Sequence, residues 1–366
     1  MNIVERRYHP NLILRALASL IFILKMEITP AQNTLPLTEA RTMPNAAPTV
    51  AGRSIFDEML AAKSDDITIV TDLDALIEGK SRSEYQSGQI IFGKKQTLQM
   101  ELRPRGKFRR KICEFPPLKI KFSKKELANA GFSKLNEVKL VTHCADSDAG
   151  NQLIAREFLP YMMYAELTPI AHRARLVDVT YIDSKNEKYR IHRLGILLED
   201  DEELAARLGG SVVDSMYNLP ADSLNTQLAA TTVLFEYMIG NTDWSIEGVR
   251  NIKFLRPEAG GKICPVPYDF DFSGFVNASY ASPNSEFPIK NVRERYWQGA
   301  SLPPEVVRRA AKSFHKKESR FHDIITDAAV IDDFQKEELG SFIDGFFKIL
   351  EQTNDLPANK TQMVNR

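Results

Sequence analysis

The alternation of apolar and polar positions gives the first half of the chain a strand character. Ile67–Val70, Gln89–Phe92 and Leu98–Leu102 read as strands, the first two separated by a polar stretch with a helix-like centre. From Leu118 to Phe122 apolar and basic residues alternate strictly. Period two turns Leu118, Ile120 and Phe122 to a core and Lys119 and Lys121 to the opposite side. Val138–His143, Arg175–Tyr181 and Arg190–Leu198 add further strands. Between them, Asn151–Leu167 carries an apolar stripe at helical spacing, which Pro160 is expected to kink or split. Acids at 199–203 open the next helix, where its dipole favours them. Asn225–Ile239 is a strong helix closed by Gly240-Asn241, and short strands follow at Asn251–Leu255 and Ile263–Val266. The C-terminal third reads as helices over Pro303–Lys317, Ser319–Ala328 and Asp332–Gln352. Strands first and helices later predict an α+β fold in two lobes rather than a repeated βαβ sheet.

Composition narrows the function classes. The chain has 366 residues, 43% of them apolar, with 48 basic and 48 acidic side chains. Zero net charge argues against a nucleic-acid binder, and the apolar fraction argues against general disorder. Arg6 and Arg7 precede an apolar run centred on Ala16–Leu24, the size of a signal-peptide core and too short to span a bilayer. Residues 1–31 are expected to be a signal peptide and 32–53 a flexible leader. A strand-rich lobe is expected over 54–200, a helical lobe over 201–355 and a disordered tail over 356–366. The expected mature protein is exported and has no transmembrane segment. Export would favour a bridge between Cys113 and Cys144, the alternative being two buried thiols, with Cys264 left unpaired.

Familiar motifs are absent. Gly79-Lys80-Ser81 imitates the end of a phosphate-binding loop, but Asp74 occupies the position of its first glycine. No GxSxG, HExxH or GxGxxG occurs, and no pair of histidines has metal-ligand spacing. Two blocks remain. Gly240-Asn241-Thr242-Asp243-Trp244-Ser245 is followed by Asn251 at the head of a strand. Pro267-Tyr268-Asp269-Phe270-Asp271-Phe272-Ser273-Gly274 follows another strand. A helix, a loop Asp, an Asn on a strand and an acidic strand end match the order of groups in protein-kinase-like phosphotransferases. Hard Mg²⁺ or Mn²⁺ takes oxygen ligands, which Asn and Asp supply. The plainer reading makes Asp243 a turn cap and Asp269 and Asp271 polar loop positions.

From about Ile55 to Phe347 the chain resembles a family of exported bacterial proteins of mostly unknown function. The matching stretches are RPRGKFRRKICEFPPLKIKF (103–122), KLVTHC (139–144), FEYMIGNTDWS (235–245), PVPYDFDFSGFVNASYA (265–281) and NVRERYWQG (291–299). That family is similar to the spore-coat CotH kinases, distant relatives of the protein-kinase fold. The resemblance implies a bilobal protein-kinase-like fold, with a strand-rich N-lobe and a helical C-lobe. It implies transfer of the ATP γ-phosphate, with Mg or Mn, to a hydroxyl acceptor such as protein Ser or Thr. Asp243 would be the catalytic base, Asn251 and Asp269 metal ligands, and Asp271 a second or helping ligand. Arg105-Gly106 would contact phosphate. Lys119 or Lys121 would hold the α- and β-phosphates, paired with Glu157, and Glu199 would lie near the adenine. Asp243 and Asn251 stand eight residues apart where the kinase loop has five, so an insertion must be absorbed. A nucleotide-binding pseudoenzyme or an AMP transferase would use the same residues. A module without catalysis would instead bind an anionic partner through 103–111.

Overall fold

The computed structural model describes residues 52–93, 96–214, 221–257, 261–298 and 302–352. The expected signal peptide, nearly all of the leader and the expected tail lie outside these residues. The strands are β1 (Asp66–Thr71), β2 (Gln86–Phe92), β3 (Gln96–Pro104), β4 (Leu118–Lys121) and β5 (Glu137–Thr142). They continue with β6 (Ala174–Asp183), β7 (Arg190–Leu198), β8 (Gly210–Val212), β9 (Ile252–Pro257) and β10 (Cys264–Pro267). The first five helices are α1 (Ile55–Ala61), α2 (Leu73–Glu78), α3 (Arg109–Ile112), α4 (Lys124–Asn129) and α5 (Asp148–Leu167). The later ones are α6 (Asp201–Arg207), α7 (Thr226–Met238), α8 (Pro304–His315), α9 (Glu318–Thr326) and α10 (Asp333–Gln352).

The expected bilobal protein-kinase-like architecture is not what the chain adopts. Seven strands close into a mixed barrel in the order β1-β2-β3-β4-β5-β7-β6. Closure comes from β1, which pairs antiparallel with β2 on one side and parallel with β6 on the other, from Asp66↔Asp178 to Thr71↔Asp183. A closed ring leaves no open sheet edge, unlike a strand lobe built on an open sheet. That β1–β6 pairing joins segments more than a hundred residues apart, and local periodicity carries no trace of it. Alternation nevertheless fills the barrel as expected. Ile69, Ile90, Leu102, Leu118, Ile120, Val138, Leu140 and Val179 are wholly buried and pack together. Gly88 permits close approach of its neighbours, since a Cβ there would lie 2.8 Å from Leu102 Cδ2 and 2.9 Å from the Val70 carbonyl.

A second core forms around α5 and α7, against which α8, α9 and α10 pack. Helix α5 runs unbroken through Pro160, so the expected split does not occur. Ser147 caps it by accepting from the Gly150 N–H at 3.2 Å. A three-stranded antiparallel sheet, β10-β9-β8, packs beside α6 and α7. Among the described residues no helix is long and apolar enough to cross a membrane.

Candidate functional site

The second half of the site begins where α7 ends. Gly240 takes a positive φ of 63° and turns the chain. Asn241 is then pinned by the last turn of the helix. Its N–H donates to the Glu236 carbonyl at 2.8 Å and its Nδ2 to Glu236 Oε2 at 2.9 Å. Its Oδ1 accepts from the Asp243 N–H at 2.9 Å, and its carbonyl accepts from Trp244 Nε1 at 3.1 Å. Glu236 is completely enclosed, and burial pushes its carboxyl up to about 8. Sequence reading missed Glu236 and Asn241 as positioning groups. The signal available was Glu236 as the single charged residue of α7.

The structure shows how the eight-residue spacing is absorbed. Ser245 and Arg250 form a small antiparallel bridge, each N–H donating to the other's carbonyl at 3.0 Å. The four residues between them make a turn outside the site, and Asn251 returns to Asp243. Asn251 Nδ2 donates to the Asp243 carbonyl at 2.7 Å and to Asp243 Oδ2 at 3.0 Å. Asn251 does this from a left-handed backbone, φ 49°, which Asn tolerates better than most residues.

Pairing of β9 with β10 brings the second acidic block alongside. Pro267 lies opposite Ile252, and the Tyr268 N–H donates to the Asn251 carbonyl at 3.1 Å. Asp269 also has a positive φ, 65°, and its N–H donates to Tyr161 Oη on α5 at 3.1 Å. Its carboxylate has no hydrogen-bond or ion-pair partner among the described residues. Burial, reinforced by the neighbouring Asp271 charge, pushes that carboxyl up to about 6 against the pull of Arg109 and Arg105. Burial also raises Asp243, with Arg250 opposing. Asp271 is occupied: it accepts from Arg109 Nε at 2.8 Å and from Tyr280 Oη at 3.0 Å.

The barrel contributes the basic side. After β3 the chain turns at Gly106, whose φ of 77° explains the glycine, and the Arg105 N–H donates to the Pro117 carbonyl at 2.7 Å. Arg109 then enters the interior and joins Asp271 to Glu157 on α5. Burial works against its charge, but Asp271 and Glu157 hold it firmly protonated. Cys113 follows and is disulfide-bonded to Cys144, so the far end of this basic segment is tied to the chain just after β5. The expected bridge forms, and Cys264 is a buried free thiol.

Most of the expected residues therefore converge. Arg105, Gly106, Asp243, Asp269 and Asp271 line one small hollow of about 80 Å³. Arg105 and Gly106 also border an adjoining cleft of about 430 Å³, which Lys119 lines. Lys119 Nζ lies 2.5 Å from Glu137 and 3.9 Å from Asp200. Lys121 lines a separate, broader hollow and sits over the Tyr85 ring at 5.3 Å. Neither lysine pairs with Glu157, whose partner is Arg109, because a residue reaching inward from the loop gets to that buried carboxylate and outward-facing strand residues do not. Glu199 is likewise committed, both its oxygens being taken by Arg173 and Arg207. It offers no free oxygen to an adenine.

Lys139 was not anticipated as a site residue. It is buried on β5, lines the larger cleft and pairs with Asp201 and Asp200. A lysine inside a short apolar strand was the signal that could have found it. Burial lowers its ammonium pKa while Asp201 and Asp200 oppose that shift.

Among the described residues no three His, Cys, Asp or Glu side chains form a metal cage. The donors do fit a cation that shares its coordination with phosphate. Mg²⁺ is commonly held by one or two carboxylates plus substrate oxygens. Asp269 has a half-buried carboxylate with no partner among the described residues, and Asn251 uses its amide nitrogen on Asp243, leaving Oδ1 as a second hard donor.

No family model matches the chain, and no curated protein matches it.

Proposed function

We propose that this protein is a metal-dependent phosphotransferase that moves the γ-phosphoryl group of ATP to a hydroxyl acceptor. The observation that carries this reading is the convergence of Asp243, Asn251 and Asp269 beside the Arg105-Gly106 turn. Acidic and basic walls facing each other across a small hollow suit a transferring phosphoryl group, for which positioning and charge neutralisation do most of the work.

In this reading Asp243 accepts the proton of the acceptor hydroxyl, and burial raises its basicity for that task. The acceptor oxygen bonds to the γ-phosphorus as the bond from that phosphorus to the β,γ-bridging oxygen breaks. ADP leaves with the electron pair. Asn251 holds Asp243 in place through its carboxylate and its carbonyl. Arg105 faces the charge that gathers on the phosphate oxygens. A bound divalent cation, held by Asp269 and Asn251 Oδ1, would neutralise phosphate charge. The acceptor is a hydroxyl compound, with protein Ser or Thr the first class to test. The Cys113–Cys144 disulfide supports an oxidising compartment, as does the N-terminal apolar run.

Intact-mass spectrometry after incubation with ATP and Mn²⁺ tests the reaction. Gain of one phosphoryl group on the protein or an acceptor, lost in Asp243→Ala, supports it. Gain of an AMP group would replace it with nucleotidyl transfer. No gain on any hydroxyl acceptor, with ATP and Mn²⁺ demonstrably bound, would leave a nucleotide-binding protein without transfer.

A further inference from the structure

The cleft on the barrel side of the Gly106 turn holds two kinds of cation. Lys119, Lys139 and Lys253 each already face a carboxylate: Glu137 for the first, Asp201 for the other two. Arg103, Arg105 and Arg110 line the same cleft, and none has a carboxylate partner among the described residues. The Arg103 guanidinium lies over the Tyr85 ring at 5.2 Å. Arg110 Nη1 donates to Ser83 Oγ at 2.8 Å and to the Arg82 carbonyl at 3.3 Å, while its Nε is buried with no partner. The Arg105 side chain makes no hydrogen bond or ion pair within the described residues.

Carboxylates of Glu137, Asp200, Asp201, Glu202 and Asp214 line the cleft too, but none forms an ion pair with these three guanidinium groups among the described residues. Planar forks of N–H groups match phosphate oxygens in pairs, which a lysine cannot do. The rest of the lining is polar or charged, with Pro104 and Val212 as its apolar members; of its acids, Glu137, Asp200 and Asp201 face the lysines. That leaves no apolar slot for a base ring, and Glu199, expected near adenine, is closed off by Arg173 and Arg207. Arg105 and Gly106 border both hollows, so a chain of phosphates at Asp269 would continue onto the arginine wall.

We infer that Arg103, Arg105 and Arg110, with Ser83, form an oligophosphate subsite, and that the phosphoryl donor is recognised by its phosphates rather than by its base. This rests on the phosphotransferase reading above and specifies its donor. Any compound with a free triphosphate arm would then bind alike, inorganic tripolyphosphate included.

The test is calorimetric titration of the full chain, with Mn²⁺ at fixed ionic strength, by tripolyphosphate, ATP, orthophosphate and adenosine. Tripolyphosphate is expected to bind within about threefold of ATP, with adenosine not binding. The double variant R103Q/R110Q is expected to weaken tripolyphosphate and ATP alike, by about tenfold or more, with its melting temperature unchanged. Orthophosphate binding that is weaker than tripolyphosphate, lost in R103Q/R110Q and kept in Asp269→Ala, would place a single phosphate on the arginine wall and supports the subsite. ATP binding tenfold tighter than tripolyphosphate, with adenosine competing, would overturn the inference and leave the phosphotransferase reading standing. Undiminished tripolyphosphate affinity in R103Q/R110Q would also overturn it. Failure of a folded protein to bind either ATP or tripolyphosphate would sink both readings.

Discussion

Two buried clusters in this molecule use the same ingredients and end in opposite states. At the end of β7, Glu199 is fully enclosed and all four of its acceptor positions are filled. Oε1 accepts from Arg173 Nε at 2.8 Å and Arg207 Nε at 2.9 Å, and Oε2 from the Arg173 N–H and Arg207 Nη2, each at 3.0 Å. At the base of the candidate site, Glu157 is equally enclosed, yet only Arg109 reaches it, and its Oε1 has no partner. Burial pushes Glu157 up to about 7 despite Arg109. The Asp269 carboxylate nearby also has no partner among the described residues. A saturated cluster holds elements together and has nothing left for a ligand. An unsaturated one keeps oxygen atoms whose burial something else must offset.

The largest expected effect breaks the saturated cluster. Glu199→Ala leaves two guanidinium groups facing a buried gap and is expected to destabilise the fold by about 3–5 kcal/mol. Urea denaturation measures this, and a loss under about 1 kcal/mol, the ceiling for exposed ion pairs, would show that the cluster does not hold the fold together. Removing the disulfide by Cys113→Ser with Cys144→Ser is expected to cost about 2–4 kcal/mol. Reductant should lower the wild-type melting temperature in the same direction and leave the double variant unmoved.

The unsaturated cluster should respond in the opposite sense. Asp269→Asn removes a like charge beside Asp271, so the ligand-free variant is expected to be no less stable than wild type. ATP with Mn²⁺ at a hundredfold over its dissociation constant should stabilise wild type by about 2.7 kcal/mol and should stabilise the variant less. Thermal unfolding with and without each ligand reads both halves. A variant that is strongly destabilised without ligand would make Asp269 structural, like Glu199.

The smallest effect is in pH. The folded-state pKa of Asp269 is raised from 3.8 to about 6, so between those values the folded protein holds a proton that the unfolded chain has released. Stability from this group therefore declines as pH rises through that window and stays lower above it. Asp269→Asn lacks the decline. Its stability relative to wild type should grow between about pH 4 and pH 6, by about 1 kcal/mol or more. A constant difference across that range would show that Asp269 does not titrate as its surroundings require.

The local elements and the acidic blocks were legible because they depend on neighbours in the chain. Strict alternation over Leu118–Phe122 set which residues of β4 enter the barrel, and Leu118 and Ile120 are indeed wholly buried. Gly240-Asn241 ends α7 as expected, and one loop and one hairpin deliver Asp243 and Asp269 to a common hollow, with Asn251 bonded to Asp243 behind it. The position of Glu157 on α5 points to an ion pair, but its partner is Arg109 and not Lys119 or Lys121. Those lysines are on the outward face of their strand, and which cation reaches a buried carboxylate is a matter of packing. Glu236 and Lys139 passed unnoticed because a charged residue in an apolar run gives no sign of its partner.

By itself, then, the amino-acid sequence determined the faces of strands and helices, the turns, and the residue types able to handle phosphate and a hard cation. These follow from side-chain period, backbone preference and donor chemistry, all short-range properties. The tertiary structure alone decided that β1 would pair with β6 and close a barrel, against the bilobal kinase-like expectation. It also decided that Arg109 rather than a strand lysine would meet Glu157, and that three arginines would line one cleft with no ion-pair partner among the described residues. Each of these is a choice of partner across long stretches of chain, made by the packing of the whole molecule and not by the residues on either side.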